Sequence, residues 1–310
     1  MDKTIRNLDL LIIGGGPAGL SAAIYASRAK LDTALLETRL AGGQLRDSYR
    51  IENYPGFPSI TGAELSKLFA EQAQKTGADI QNFSRVLDIR LTEEEKTVET
   101  KKIIYKPKAV IIATGAMPKK LPVPSEERYA GKGVHYCATC DGANYEGSVV
   151  GVVGGGNSAL EEALLLARYA SKVIMIRRRG YFNGEKAMLD EILGNPAIEV
   201  MFHWDLVDVE GEDFVSRAVV RNTQTGEEKK IELSAVFGSI GMDPQTGLFK
   251  DCFQLLPGGY IPTDERMQTP VKGVYAAGDV RYKEYRQITT AVADGTIAAL
   301  SAEKYVRLTK

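Results

Sequence analysis

Short all-apolar runs that end in glycine dominate the hydrophobic pattern of this chain. Leu10-Leu-Ile-Ile runs into Gly14-Gly-Gly-Pro-Ala-Gly19, then a helix-compatible stretch to Ala29, then Thr33-Ala-Leu-Leu-Glu37. Val149-Val-Gly-Val-Val runs into Gly154-Gly-Gly-Asn-Ser158, then Ala159 to Ala167, then Val173-Ile-Met-Ile176. Each reads as strand, glycine turn, helix, strand. Apolar runs without alternation fit central strands of parallel sheets, covered on both faces. Two such units predict an α/β chain with two Rossmann-like, doubly wound nucleotide-binding domains of three layers. Ala109-Val-Ile-Ile-Ala-Thr-Gly115 and Gly273-Val-Tyr-Ala-Ala-Gly-Asp279 add two more strand-to-glycine segments. Proline- and glycine-bearing stretches at Met117–Pro124 and Gly238–Gly247 read as linkers that bracket the second unit. Residues 118–246 are therefore expected as an inner domain, inserted into an outer domain of 1–117 and 247–310. Two β-rich runs between Phe214 and Val236, around Asn222-Thr-Gln-Thr-Gly226, predict a hairpin. The closing pattern from about Gln287 to Leu308 predicts a packed amphipathic helix, with Ile288, Val292, Ile297, Leu300 and Tyr305 among small alanines.

Charge and composition narrow the function. Lys+Arg 39 against Asp+Glu 40 in 310 residues gives no electrostatic case for binding nucleic acid or a membrane surface. The early apolar run Leu10–Ile13 is too short to span a bilayer or to serve as a secretory core. Three cysteines make no disulfide framework, but two of them lie three apart. That spacing points to redox or metal chemistry in a reducing compartment, and a cytoplasmic protein is expected.

Gly14-x-Gly16-x-x-Gly19 has the spacing of a dinucleotide turn, in which glycines allow a pyrophosphate to approach free N–H groups at the helix start. Glu37, after the second strand, is the acidic residue expected on ribose hydroxyls. The second turn, Gly154-x-Gly156-x-x-Ala159, permits an internal comparison. Glu37 lies 23 positions beyond Gly14, and the residue 23 positions beyond Gly154 is Arg177, which opens Arg177-Arg178-Arg179. A guanidinium cluster suits a ribose 2′-phosphate, so the second unit is expected to prefer NADPH. The bland alternative is a solvated charged face.

Cys137-Ala-Thr-Cys140-Asp141 is the expected reactive centre, since such pairs close small disulfides and carry activated thiols. Zinc is the rival, but only His135, His203 and Cys252 are left as further cysteine or histidine ligands, in no ligand spacing, so no metal is expected. Asp141 is a candidate proton donor or acceptor, or else a helix cap. His135 reads as a polar neighbour of the pair, and Cys252 as a buried, inert thiol.

These segments, with Gly42-Gly-Gln-Leu45, Ile51-Glu-Asn-Tyr-Pro-Gly-Phe57, Tyr136-Cys-Ala-Thr-Cys-Asp-Gly142 and Tyr285-Arg-Gln287, stand in the order found in the low-molecular-weight bacterial and archaeal thioredoxin reductases. The chain resembles that branch of the pyridine nucleotide-disulfide oxidoreductases over nearly its whole length. The resemblance implies a homodimeric flavoprotein with FAD in the outer domain and an extra β-hairpin or meander in each domain. Gly14, Gly16, Pro17 and Ala18 would hold the pyrophosphate, Glu37 and Thr38 the ribose, and Val86 the adenine. Gln44 and Asn53 would lie along the flavin and ribityl, with Thr114 and Gly115 lining the cleft. Gly278 and Asp279 would meet the ribityl chain, and Arg286, Gln287 and Ile288 would cap the isoalloxazine. Gly154, Gly156, Asn157, Ser158 and Arg177 to Arg179 would hold NADPH. Cys140 would face the flavin, Cys137 would attack a thioredoxin-like protein disulfide, and Asp141 would manage the proton, with the linkers near 117 and 241 as hinges. One departure is Asn183, where the family has a fourth basic residue; it implies relaxed coenzyme choice, with NADH as a possible second donor. The alternatives are a flavin-dependent dithiol oxidase acting on a small dithiol and a non-catalytic flavin-binding sensor.

Overall fold

A computed structural model describes residues 3–48 and 51–309. The chain divides into an outer unit, Met1–Met117 with Asp243–Lys310, and an inner unit, Pro118–Met242. The second crossing thus falls a few residues before the boundary expected from the Gly238–Gly247 stretch. The two connections are themselves strands, Ala116–Pro118 and Met242–Pro244, which pair as a two-stranded ribbon. Backbone pairing, which glycine and proline content does not report, sets where the chain leaves one unit for the other.

In the outer unit the strand Thr4–Ile13 lies between Thr33–Leu36 and Ile103–Ile112, parallel to both. Asp79–Gln81 extends the sheet on one side, and Val274–Ala276 pairs parallel to Ile103–Ile112 on the other. The same long strand also pairs antiparallel with Lys96–Glu99, which forms a hairpin with Asp88–Leu91. Residues Leu10–Ile13 and Ala109–Ile112 are all buried, as expected of central strands with both faces covered. The helix Pro17–Arg28 and the closing helix Ile288–Leu308 pack together over one face.

The closing helix keeps its small alanines inside, as expected, but turns two of its large apolar residues outward. Its core side is Ala291, Asp294, Gly295, Ala298, Ala299, Ala302 and Val306, while Ile297 and Leu300 are 38% and 50% exposed. Helix-to-helix distance is the reason. A Cβ on Gly295 would lie 2.0 Å from the Ala18 carbonyl oxygen, so only small residues fit along that seam.

The inner unit repeats the plan with a five-stranded parallel sheet. From one edge to the other it runs Ile198–Phe202, Lys172–Arg177, Val149–Gly154, Ala235–Ser239 and Val134–His135. The predicted hairpin is present as Val215–Asn222 and Glu228–Glu232. It gains a third strand, Trp204–Gly211, and becomes a meander. Val236, placed at the end of that β-rich stretch by sequence, belongs instead to the parallel sheet.

Candidate active site

In both units the chain leaves the central strand on one side and later returns to its other side, so a switch point opens at the strand ends. Each first glycine sits there against a backbone carbonyl of the strand across the switch. A Cβ on Gly14 would lie 2.3 Å from Ala113 O, and one on Gly154 would lie 2.4 Å from Ser239 O. Gly14 also has φ +107°, a conformation L-residues rarely adopt. The middle glycines differ: nothing lies within 3.9 Å of a Cβ on Gly16, and nothing within 4 Å of one on Gly156. Both are helix N-caps without a side-chain cap, and neither helix has an acidic first turn. The free N–H groups and the helix dipole leave each turn open to an anion.

Glu37 closes back on the first turn: Oε2 accepts from Gly15 N at 2.8 Å, and Oε1 from Arg39 N and the Thr38 hydroxyl. At the matching place in the inner unit Arg177 folds over its own turn, where a Cβ on Gly155 would meet its Cζ at 2.4 Å. Its Nε donates to Tyr181 O at 2.9 Å, and one terminal nitrogen is buried without a protein partner. Burial first, then the neighbouring Arg179 charge, pulls its guanidinium down from the usual range. Arg179 donates to the Tyr181 hydroxyl, and both guanidinium groups lie about 6 Å from that ring. Tyr181, which sequence reasoning passed over, organises the cluster, while Arg178 is exposed. Asn183 is exposed too, and its N–H donates to Gly155 O at 2.7 Å.

Cys137 and Cys140 form a disulfide, with Cα atoms 5.3 Å apart. Cys137 stands just before the four-residue helix Ala138–Asp141, and Cys140 is exposed. Asp141 makes no side-chain cap; its carboxylate faces His135 at 3.3 Å.

Residues 8–295 match the family described as pyridine nucleotide-disulphide oxidoreductase. The chain belongs to that family. Along 304 residues the oxidoreductase is 48% identical to a Clostridium pasteurianum protein described as a 34.2 kDa protein in rubredoxin operon, covering 98% of this chain and 99% of that one. Along 299 residues it is 42% identical to the thioredoxin reductase of Bacillus subtilis (strain 168), covering 96% and 94%. The crystal structure of thioredoxin reductase from Streptococcus pyogenes MGAS5005 matches with a TM-score of 0.92 at 40% identity, over 97% and 99% of the two chains. Membership makes this an enzyme that uses flavin and a nicotinamide nucleotide in disulfide chemistry.

In the oxidoreductase's outer unit, several predicted residues meet. Asn53 Nδ2 donates to Gln287 Oε1 at 3.3 Å, and the Gln44 side chain donates to Ala116 O. Thr114 donates to Gln245 O, and Gln245 N donates to Gly115 O. Arg286 lies 4.7 Å from the Tyr260 ring with its Nε buried and without a protein partner. Gln287 caps the closing helix, and Ile288 packs against the Leu45, Ile51 and Leu65 cluster. Val86 differs, because its side chain is spent on the core. Asp279 is held by Lys283 at 3.1 Å, which also reaches the buried Asp294 at 3.3 Å. Asp294 in turn accepts from Gly278 N.

Glu162 was missed, because Leu160-Glu-Glu-Ala163 looks like an ordinary helix surface. Its Oε1 accepts from Ala138 N at 3.4 Å, beneath the cysteine turn, and Oε2 is buried without a partner. Burial pushes its carboxyl up to about 7, opposed by the bond from Ala138 N–H. A raised carboxyl holds its proton more tightly in the folded chain than in the unfolded one. Its stability contribution is therefore lost as pH rises from the usual carboxylate range through about 7. Glu162→Gln is expected to change inner-unit stability little at about pH 5 and to raise it by about 2–3 kcal/mol at about pH 8. Thermal unfolding at the two pH values checks this, and equal shifts at both would refute it.

Proposed function

We propose that the protein is a thioredoxin reductase in which electrons from NADPH pass through bound FAD to the Cys137–Cys140 disulfide. The dithiol so formed then reduces a disulfide in a thioredoxin-like protein. The observation that carries the reading is the disulfide itself, seated in the unit that bears the arginine-flanked glycine turn. The thioredoxin reductases that match nearly the whole chain support it. A homodimer in a reducing, cytoplasmic setting belongs to the same proposal, supported by the resemblance and by the cysteine pair.

The residues fit both cofactors. Open space at Gly16, the uncapped helix at Pro17 and Ala18, and the unpartnered buried Arg286 Nε suit FAD in the outer unit. Glu37 and Thr38 would take the ribose, Gln44, Asn53, Thr114, Gly115 and Asp279 would line the flavin and ribityl, and Gln287 and Ile288 would close over the ring. Open space at Gly156 beside Asn157 and Ser158, with the unpartnered Arg177 nitrogen, suits NADPH. Bound flavin supplies the two-electron exchange between a hydride donor and a disulfide. The chain's own part is to bind and orient, and Asp141 exchanges the proton that accompanies each thiolate. A dithiol oxidase needs no basic nucleotide site, and the arginine cluster argues against it.

Anaerobic stopped-flow mixing with NADPH, then with an oxidised thioredoxin, tests the reading. Rapid bleaching of a flavin spectrum, followed by recovery on adding the thioredoxin, is the expected result. A protein that stays colourless after FAD reconstitution would sink it. Within this reading, Arg177→Glu should raise the Michaelis constant for NADPH about tenfold to a hundredfold, and that for NADH far less. A charge-assisted contact to phosphate is worth about 1.5–3 kcal/mol. Equal constants in the wild type, unmoved by the substitution, would reduce the cluster to a solvated face.

A further inference from the structure

Beyond the cysteines, three polar side chains form a chain inside the inner unit. His135, 7% exposed, ends the short strand Val134–His135. Its Nδ1 lies 3.3 Å from Asp141 Oδ2, and its Nε2 lies 2.7 Å from the Tyr145 hydroxyl. Phe237, from the neighbouring strand, stacks on the imidazole with centroids 5.4 Å apart, and Tyr145 meets both rings edge-on. The ring is packed between these two aromatic side chains, each nitrogen facing one partner.

The pairing assigns the tautomer. Burial, with the Asp141 charge adding to it, pushes the Tyr145 hydroxyl up to about 12, so it keeps its proton and donates to Nε2. A neutral imidazole that accepts at Nε2 carries its proton on Nδ1 and donates to Asp141. One tautomer satisfies all three groups. The titratable groups facing His135 are Asp141 from the short helix and Tyr145 from the turn after it. Phe237, from the sheet, offers only carbon. Glu162 approaches the same cysteine turn from the helix Asn157–Leu166, at Ala138.

We propose that His135 is a positioning residue for the dithiol chemistry: held between Tyr145 and Asp141, it fixes the carboxylate of Asp141, the residue that follows Cys140, and makes its proton traffic depend on the charge of the imidazole. The inference rests on the reading of the pair as the reductant of a protein disulfide. In that exchange the Cys137 thiolate attacks one substrate sulfur, a mixed disulfide forms, and the other substrate sulfur leaves as thiolate. Cys140 then gives its thiol proton to the Asp141 carboxylate as its sulfur attacks Cys137 Sγ. The Cys137–Cys140 bond closes, the mixed bond breaks, and the second substrate sulfur leaves as thiolate. The pair has lost two electrons to the substrate, and the proton on Asp141 passes to the departing thiolate. A neutral His135 leaves Asp141 a basic oxygen for this step. A protonated His135 sets a full positive charge against the carboxylate and makes it a poorer proton acceptor. The exchange is therefore slower with a protonated His135 than with a neutral one, beyond the slowing that protonation of the Cys137 thiol itself imposes.

The test is stopped-flow mixing of NADPH-reduced holoprotein with an oxidised thioredoxin across about pH 5.5–9, with flavin reduction by NADPH as the control. The wild-type exchange rate is expected to show two ionisations on its acid limb. His135→Asn keeps a neutral N–H donor toward Asp141; it should show one ionisation, with a rate at high pH within about threefold of wild type. Glu162→Gln keeps both ionisations, which separates its carboxyl from the effect. A His135→Asn enzyme with the wild-type pH profile overturns the proposal, as does one slowed equally at every pH. A wild type that is reduced by NADPH yet reduces no thioredoxin overturns instead the function on which the proposal rests.

Discussion

Cys137→Ser and Cys140→Ser enzymes are each expected to lose turnover of a protein disulfide completely, while flavin reduction by NADPH continues at close to the wild-type rate. The two half-reactions meet only at the dithiol, and a serine hydroxyl can neither attack a disulfide usefully nor form a sulfur–sulfur bond. The two variants should differ in one respect. With Cys140 replaced, Cys137 can still attack and has no neighbour to release it, so a stoichiometric mixed disulfide should accumulate and be visible by mass spectrometry. With Cys137 replaced, no such adduct should form. Cys252 offers no rescue: it lies in the outer unit, half-buried, and burial pushes its thiol up, away from the reactive thiolate. Sustained turnover by either variant would refute the relay.

Gly19→Ala and Gly16→Ala should fail in different ways. A Cβ on Gly19 would lie 1.9 Å from the Gly14 carbonyl oxygen, a backbone atom that cannot rotate aside. Gly14 cannot retreat either, being pressed on Ala113 at its positive φ. Gly19→Ala is therefore expected to cost the outer unit about 3 kcal/mol or more and to yield protein without FAD. At Gly16 the nearest atom is 3.9 Å away and φ is −73°, so alanine is tolerated by the fold within about 1 kcal/mol. The added methyl instead occupies the space through which a pyrophosphate would reach the helix N-terminus, so FAD affinity should fall in a protein of near-normal melting temperature. Flavin absorbance and thermal unfolding, measured on both variants, give the answer. Matching losses in both readouts would mean that the turn has no open side.

The outer and inner sheets were legible because their signal is local. An apolar run, a glycine turn and a small-residue helix are contiguous, and the 23-position register between Gly14 and Glu37 carries over to Gly154 and Arg177. The cysteine pair was legible for the same reason. Relations that only packing brings about were not. The closing helix was read with large apolar residues and small alanines sharing one packed pattern, whereas the Ala18–Gly295 approach admits only the small ones along the seam, a constraint set by a helix far away in sequence. His135 lies six residues before Asp141, yet nothing in that spacing predicts that a strand end and a short helix turn toward each other. Tyr181 gave no sequence signal because its role depends on two arginines folding back over it. Glu162 presents the helical pattern of a solvated pair, and only packing shows that one of the two carboxylates is buried.

The insertion of one unit within the other also dictates an order of synthesis. A ribosome completes the inner unit at Met242 while the strand Val274–Ala276 and the closing helix are still untranslated. The first core of the outer unit draws on both ends of the chain, from Leu10 through Ala113 and from Met267 through Val306. Until the second set emerges, the apolar face of the opening helix has no lid of small residues to cover it. The nascent chain thus carries a finished inner unit behind an unfinished outer half with exposed apolar surface, the state in which chaperone engagement or aggregation is decided. Loss of the last few dozen residues would leave the disulfide-bearing unit whole and the outer unit unable to close its first core.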